Sequence, residues 1–179
     1  TIIGDEEQLP YQRPPLSKDF LAGNTPIKKL YLKSSDYYKR NEIDIFLNKC
    51  VNSINRAKKN VSLEDGTIFY YKTLVIAVGS QLNKLNMDCD NESIYYLNNI
   101  NDSVKIKSLL GQQKKMVIIG AGYIGLEIAA AASKKKHPIT VLEADSRVMN
   151  RSVCPETSYF FQEKHQKEGV QFFFNSLIK

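Results

Sequence analysis

An α/β fold is predicted, and three stretches of the 179 residues predict it. One is MVIIGAGYIGLEIAAAA followed by ITVLEA, in which an apolar strand meets a glycine-rich turn, an alanine-rich helix and a second apolar strand. The second is the set of short runs CVNSIN, VSLEDG and TIFYY, which reads as an antiparallel meander. The third is TLVIAVG, a continuous apolar run ending in glycine, as expected of a strand buried on both faces.

In chain order, Thr1 to Ile3 reads as the end of a buried strand, and residues 4–16 as a loop. Within that loop LPYQRPPLSK is dense in proline. Each ring fixes φ near −65° and biases the preceding residue toward extended geometry, so Arg13, Pro14 and Pro15 predict a stiff, non-helical arm. Ser17 is a suitable cap for a short helix near 17–22. SSDYYKRNE at 34–42 predicts a second Ser-capped helix, and IDIFL at 43–47 alternates like a strand. Asp65-Gly66 between two alternating runs signals a hairpin turn. TLVIAVG occupies 73–79. The polar, irregular stretch after it marks a domain boundary or crossover near 87–93, and SIYYL at 93–97 is a candidate strand. A helix over 101–111 ends at Gly111. Strands at 116–120 and 139–144 flank a helix from about 122 to 136, and a last helix from Pro155 to Lys167 precedes the strand VQFFF at 170–174.

Composition bounds the class. The chain is 42% hydrophobic and 25% charged, with net charge +6 and no low-complexity tract. The lysines come in scattered twos and threes without an aromatic-basic module, so solvated faces are expected and a nucleic-acid partner is not. Cys50, Cys89 and Cys154 have no CxxC spacing and no histidine company, which argues against a disulfide framework or a metal site and suits a reducing, cytoplasmic compartment. No run approaches the ~20 apolar residues that span a bilayer, so no membrane partner is expected. Thr1 opens directly on an apolar TIIG and Lys179 follows directly on a strand-like run, so the sequence reads as an internal fragment.

The chemistry lies in Gly120-x-Gly122-x-x-Gly125. The spacing alone is weak evidence, but here a strand precedes it, a helix follows it, and an acid ends the next strand. Gly120 allows the tight turn, Gly122 lets backbone approach a pyrophosphate, and Gly125 lets helix and strand pack closely. The helix N-terminus offers N–H groups and the positive end of its dipole to phosphates. Glu143 falls 23 residues after Gly120, near the position that binds ribose hydroxyls. A carboxylate there accepts from a free 2′-hydroxyl and repels a 2′-phosphate, which favours NAD(H) over NADP(H). The same residues also fit a plain βα turn with an incidental glutamate. Arg147 and Arg151, just past the strand, could reach adenine or phosphate, or Arg151 could simply be solvated.

Three segments in order, IIGDEEQLPYQRPPLSKDFLAG, LVIAVGSQLNKL and VIIGAGYIGLEIAAAA with ITVLEADSRVMNRSV, together resemble the NADH-dependent ferredoxin and rubredoxin reductases. These are FAD-containing pyridine nucleotide oxidoreductases. The PYQRPPLSK block is specific to this group and its apoptosis-inducing-factor cousins; the nucleotide motif is shared more widely. The resemblance implies two Rossmann-like three-layer domains of ββα type, both incomplete. Residues 1–90 would be part of the FAD domain, lacking its first strand-helix unit, and 91–179 part of the NAD(H) domain. It implies cofactors FAD and NAD(H), hydride transfer from NADH, and a ferredoxin or rubredoxin-type iron–sulfur partner. It also implies roles for single residues. Asp5 or Glu6 would meet the FAD adenosine ribose, Arg13 the FAD phosphates or ribityl chain, and Val51 the adenine through its backbone. Ala77 and Gly79 would line the FAD site. Lys18 would point at the flavin N5 edge, or form a salt bridge to a nearby acid. Gly120, Gly122, Tyr123, Ile124 and Gly125 would cradle NADH, Glu143 would bind its ribose, and Arg151 would lie beside them. Tyr123 and Glu127 would lie near the nicotinamide, or be ordinary first-turn helix residues. Val78 stands where the family usually has threonine and Asn98 where an arginine is common, so weaker FAD binding is expected. No Cys-x4-Cys pair appears; the PPLSK block takes its place, against a disulfide reductase. An apoptosis-inducing-factor-like signalling role and an inactive truncation are the alternatives.

Overall fold

A computed structural model describes residues 1–85, 93–112 and 114–178. In chain order its elements are strand β1 (Ile2–Ile3), a 3-10 turn (Pro14–Ser17), helix α1 (Asp19–Ala22), a second 3-10 turn (Ile27–Lys29), helix α2 (Ser35–Arg40), and strands β2 (Ile45–Phe46), β3 (Val51–Asn55), β4 (Asn60–Leu63) and β5 (Ile68–Tyr70). Helix α3 (Ile100–Leu109), β6 (Met116–Ile119), α4 (Tyr123–Ser133), β7 (Ile139–Leu142), α5 (Pro155–Lys167) and β8 (Val170–Phe173) follow. The fold is mixed α/β, and it divides into two compact units: Thr1–Gln12 with Lys28–Gln81, and Arg13–Ile27 with Leu82–Lys179. Among the described residues no helix is long and apolar enough to cross a membrane.

In the first unit β1 pairs in parallel with β2, and β3, β4 and β5 form the expected antiparallel meander. Asp65 makes the β4–β5 turn by accepting from the Thr67 N–H at 3.0 Å and from Lys49 at 2.6 Å. Ser34 caps α2 as expected, accepting from Tyr37 N–H at 3.3 Å. In β4 Asn60, Val61 and Leu63 are buried, and elsewhere in this unit Leu30 and Tyr38 are buried too.

In the second unit β6, β7 and β8 form a parallel sheet in that order, in register at Met116, Ile139 and Val170. Its core gathers Ile118, Leu126, Ala129, Ala132, Val141 and Val170 with Leu21 and Ile106. The alanines of α4 keep the helix close to the sheet. Helix α3 begins with a reciprocal cap: Asn99 Oδ1 accepts from Asp102 N–H at 3.0 Å, and Asp102 Oδ2 accepts from Asn99 N–H at 3.2 Å.

Several expectations are corrected. Residues 73–79 form no strand, and Val75 and Val78 are 81% and 87% exposed. A continuous apolar run becomes a strand only when neighbours accept its backbone bonds and cover both faces, and among the described residues none does. Residues 93–97 likewise form no strand, and Ile2 is partly exposed rather than buried. The Pro14-Pro15 arm is a 3-10 turn with Arg13 itself in the right-handed helical region, φ −80° and ψ −34°. Proline at the first positions of a helical turn removes no needed donor, so rigidity and helical geometry coexist there. Ser17 does not cap α1; Lys18 stands at that position. Cys89 and residues 87–92 of the expected boundary lie outside the described residues.

His165 on α5 is buried edge-on against Phe172, 6.3 Å between ring centres. Burial, and then the charge of Lys164, push its imidazole below the usual 6.5. The unfolded chain therefore binds this proton first, so the group's contribution to stability is present above about pH 6.5 and falls as pH drops below it. The thermal midpoint should decline between pH 7.5 and 5.5, and His165→Leu should flatten part of that decline. An unchanged pH slope in the variant contradicts this assignment.

Candidate functional site

Strand β6 delivers the chain into the glycine turn. Gly120 has φ +95°, a conformation that a side chain disfavours, and its N–H donates to Leu142 O at 2.7 Å. Gly122 precedes α4 in extended geometry with open space where a Cβ would stand. Gly125 is different. A Cβ there would lie 2.1 Å from Gly120 O and 3.3 Å from Ile118 Cγ2. Helix α4 thus passes over its own entry turn at a distance only hydrogen allows. The first α-type bond runs from Leu126 N–H to Gly122 O at 3.0 Å, so the N–H groups of Tyr123, Ile124 and Gly125 precede it at the positive end of the helix. The Tyr123 and Ile124 side chains are more than half exposed.

Glu143 follows β7 and points back at this turn. Its Oε2 accepts from Ala121 N–H at 2.5 Å and its Oε1 from Asp145 N–H at 2.9 Å. Each oxygen is held once, and a carboxylate has lone pairs to accept again. A cleft of about 310 Å³ opens beside it, lined by Gly122, Glu143, Asp145, Met149, Asn150, Arg151 and Ser152. Arg151 reaches Asp145 at 3.7 Å and is otherwise largely solvated. Arg147 does not face the cleft as a free cation. Its guanidinium donates to Asn150 O at 3.0 Å and Val153 O at 2.9 Å, closing the 150–153 loop that forms one wall.

One turn further along α4, Glu127 meets the proline arm. Its Oε1 lies 3.2 Å from Lys18 Nζ, and its Oε2 accepts from the Ser17 hydroxyl. So the acid beside Lys18 is Glu127, a residue also expected at the site. Arg13 Nη1 donates to Asn98 O at 2.7 Å, so the residue standing in the usual arginine's place contributes its carbonyl. The Ser103 hydroxyl donates to Leu16 O at 2.6 Å, and nothing local in the sequence marks this partner or that of Ser17, which lie 87 and 110 residues away.

In the first unit Asp5, Glu6 and Val51 lie close together just past β1. Lys49 N–H donates to Gly4 O at 2.9 Å and Asn48 N–H to Glu6 O at 3.1 Å. Asp5 is exposed there, close enough for its charge to help raise the Cys50 thiol, whose main cause is Glu64. Val51 is the next residue. The Glu6 carboxylate accepts from the Tyr11 hydroxyl at 2.5 Å. Ala77 and Gly79 lie in the exposed, strandless stretch, Gly79 with φ +66°.

The profile of the pyridine nucleotide-disulphide oxidoreductase family matches residues 1–179. The chain belongs to this family. Among its curated members it is 35% identical to rhodocoxin reductase of Rhodococcus erythropolis over 180 aligned residues, covering 100% of this chain and 42% of that protein. It is 35% identical to putidaredoxin reductase of Pseudomonas putida, over 94% of this chain and 41% of that protein. A solved covalent complex of putidaredoxin reductase with putidaredoxin superposes at a TM-score of 0.93 with 33% identity, over 99% of this chain and 43% of that chain. NADH:rubredoxin oxidoreductase of Clostridium acetobutylicum superposes at 0.86 with 30% identity, over 98% of this chain and 46% of that chain. The chain therefore spans less than half the length of these family members.

The second and third glycines of the turn separate by stability. Gly125→Ala forces backbone apart and should cost about 1–3 kcal/mol, as overpacking does. For a domain of this size that is a fall of several degrees in thermal midpoint. Gly122→Ala meets nothing within 4 Å and loses only the N-cap preference for glycine over alanine, so its midpoint should fall far less. Equal midpoints for the two variants in calorimetry contradict the close passage.

Proposed function

We propose that the chain carries the NADH-binding and part of the FAD-binding machinery of an oxidoreductase that takes hydride from NADH and passes electrons to a ferredoxin or rubredoxin-type iron–sulfur protein. In this reading residues 1–90 belong to the FAD domain and 91–179 to the NAD(H) domain. The observation that carries it is Glu143 pinned to the Ala121 N–H beside the α4 N-terminus. A dinucleotide fits this arrangement. The first-turn N–H groups would face its pyrophosphate, the open space at Gly122 admits it, and the spare lone pairs of Glu143 would accept from both ribose hydroxyls. A 2′-phosphate in that place would meet the carboxylate's charge, so NADH is favoured over NADPH. The relatives carry the names of reductases of rhodocoxin, putidaredoxin and rubredoxin, which supports the acceptor class.

FAD and NADH together would supply the redox chemistry, hydride in and single electrons out. The protein's part is to bind and orient. Asp5 or Glu6 would take the FAD ribose, Val51 its adenine through the backbone, Ala77 and Gly79 its ring or phosphates, and Arg13 its phosphates or ribityl chain. Lys18 would present an ammonium at the flavin edge, where it stabilises negative charge as it develops. Tyr123 and Glu127 would stand on the nicotinamide side, four residues apart on one face of α4. Arg151 would border the adenosine.

In the flavin-loaded protein, NADH should drive rapid reduction of a ferredoxin or a one-electron dye. Rates with the acidic protein acceptor should fall as salt rises, because the chain carries a net +6. Slow turnover with NADH-driven dimerisation would instead favour a signalling flavoprotein. Glu143→Gln should lower the NADH-over-NADPH ratio of kcat/KM about tenfold, the loss of one charged hydrogen bond. An unchanged ratio removes Glu143 from the nucleotide site.

A further inference from the structure

We propose that Ser17 is a positioning residue for this reaction: its hydroxyl fixes the Glu127 carboxylate so that the other oxygen faces Lys18 and aims the ammonium. The proposal rests on the reductase reading and deepens it. Ser17 is 6% exposed and ends the 3-10 turn Pro14–Ser17. Its hydroxyl caps no helix; it donates to Glu127 Oε2, while Lys18 Nζ lies 3.2 Å from Oε1.

The ion pair alone does not hold this geometry. The Lys18 side chain is 53% exposed and that of Glu127 27%. A pair so open to water gains little, and ordering two long side chains cancels most of it. A buried hydroxyl bonded to a carboxylate is stronger and has one short rotor. Ser17 is therefore the fixed member of the trio. Its backbone is itself held: Ser103, fully buried on α3, donates to Leu16 O at 2.6 Å, Lys18 N–H donates to Pro15 O at 3.0 Å, and Pro14 and Pro15 restrict the turn. Rigidity passes from the proline turn to Ser17, to Glu127, to Lys18. Ser17 touches no reacting atom in this scheme.

The test has two readouts. In the protein without cofactors, acylation of Lys18 by a soluble acetylating reagent is followed by peptide mass spectrometry, with exposed Lys28 as internal reference. Ser17→Ala should raise the relative Lys18 rate about threefold, as expected for loss of a weak ion pair. Glu127→Gln should do the same, the double variant should add nothing more, and Ser17→Thr should restore the original rate. In the flavin-loaded protein, Ser17→Ala should lower kcat about tenfold with KM for NADH unchanged, the pattern of an interaction that matters in the transition state. Equal Lys18 labelling in wild type and Ser17→Ala overturns the proposal whatever the activity. So does a double variant whose effects multiply. Wild type that binds flavin yet does not oxidise NADH overturns the reductase reading instead, and the labelling still decides whether Ser17 positions Lys18.

Discussion

Helix α4 crosses the Gly120 turn so closely that Gly125 has no room for a single carbon, and the second unit's site is built from that contact. A Cβ at Gly125 would stand 2.1 Å from Gly120 O, well inside any repulsive wall. Because the helix is seated there, its N-terminal N–H groups arrive at the ends of β6 and β7 together. Glu143 then reaches the turn itself and accepts from Ala121 N–H. The same seating brings Glu127 one turn later to the proline arm. A shift of α4 by the width of a methyl group would misplace both ends.

Electrostatics sorts the two faces of that helix. At its start a carboxylate is held by backbone donors alone, and it retains acceptor capacity toward the cleft. One turn on, a second carboxylate is shared between a buried hydroxyl and an exposed ammonium. The first arrangement suits recognition of hydroxyl groups. The second suits holding a positive charge in one direction. Arg147, the cation nearest in sequence to the first site, is consumed in closing the 150–153 loop and shapes the cleft through backbone.

Local chemistry in the sequence was legible where it was self-contained. Ser34 caps α2, Asp65-Gly66 turns the β4–β5 hairpin, and the glycine spacing describes the β6–α4 turn, because each is decided within a few residues. Long-range partners were not legible. Serine is a good helix cap, but the Ser17 hydroxyl meets a carboxylate acceptor 110 residues away instead. Pro14 biases Arg13 toward extended geometry, and the 3-10 turn overrides that bias. Residues 73–79 have the composition of a buried strand, yet a strand exists only through its neighbours' hydrogen bonds, and the described chain offers none. Of the candidate site, the glycines, Glu143, Lys18 and Glu127 were named from sequence, whereas the connections among them came from the fold.

The most direct test is a crystal structure of the protein with NADH bound. The pyrophosphate should lie at the N–H groups of Tyr123 to Gly125, and the adenosine ribose hydroxyls within about 2.6–3.2 Å of the Glu143 carboxylate. A dinucleotide bound elsewhere, or one whose ribose turns away from Glu143, would contradict it.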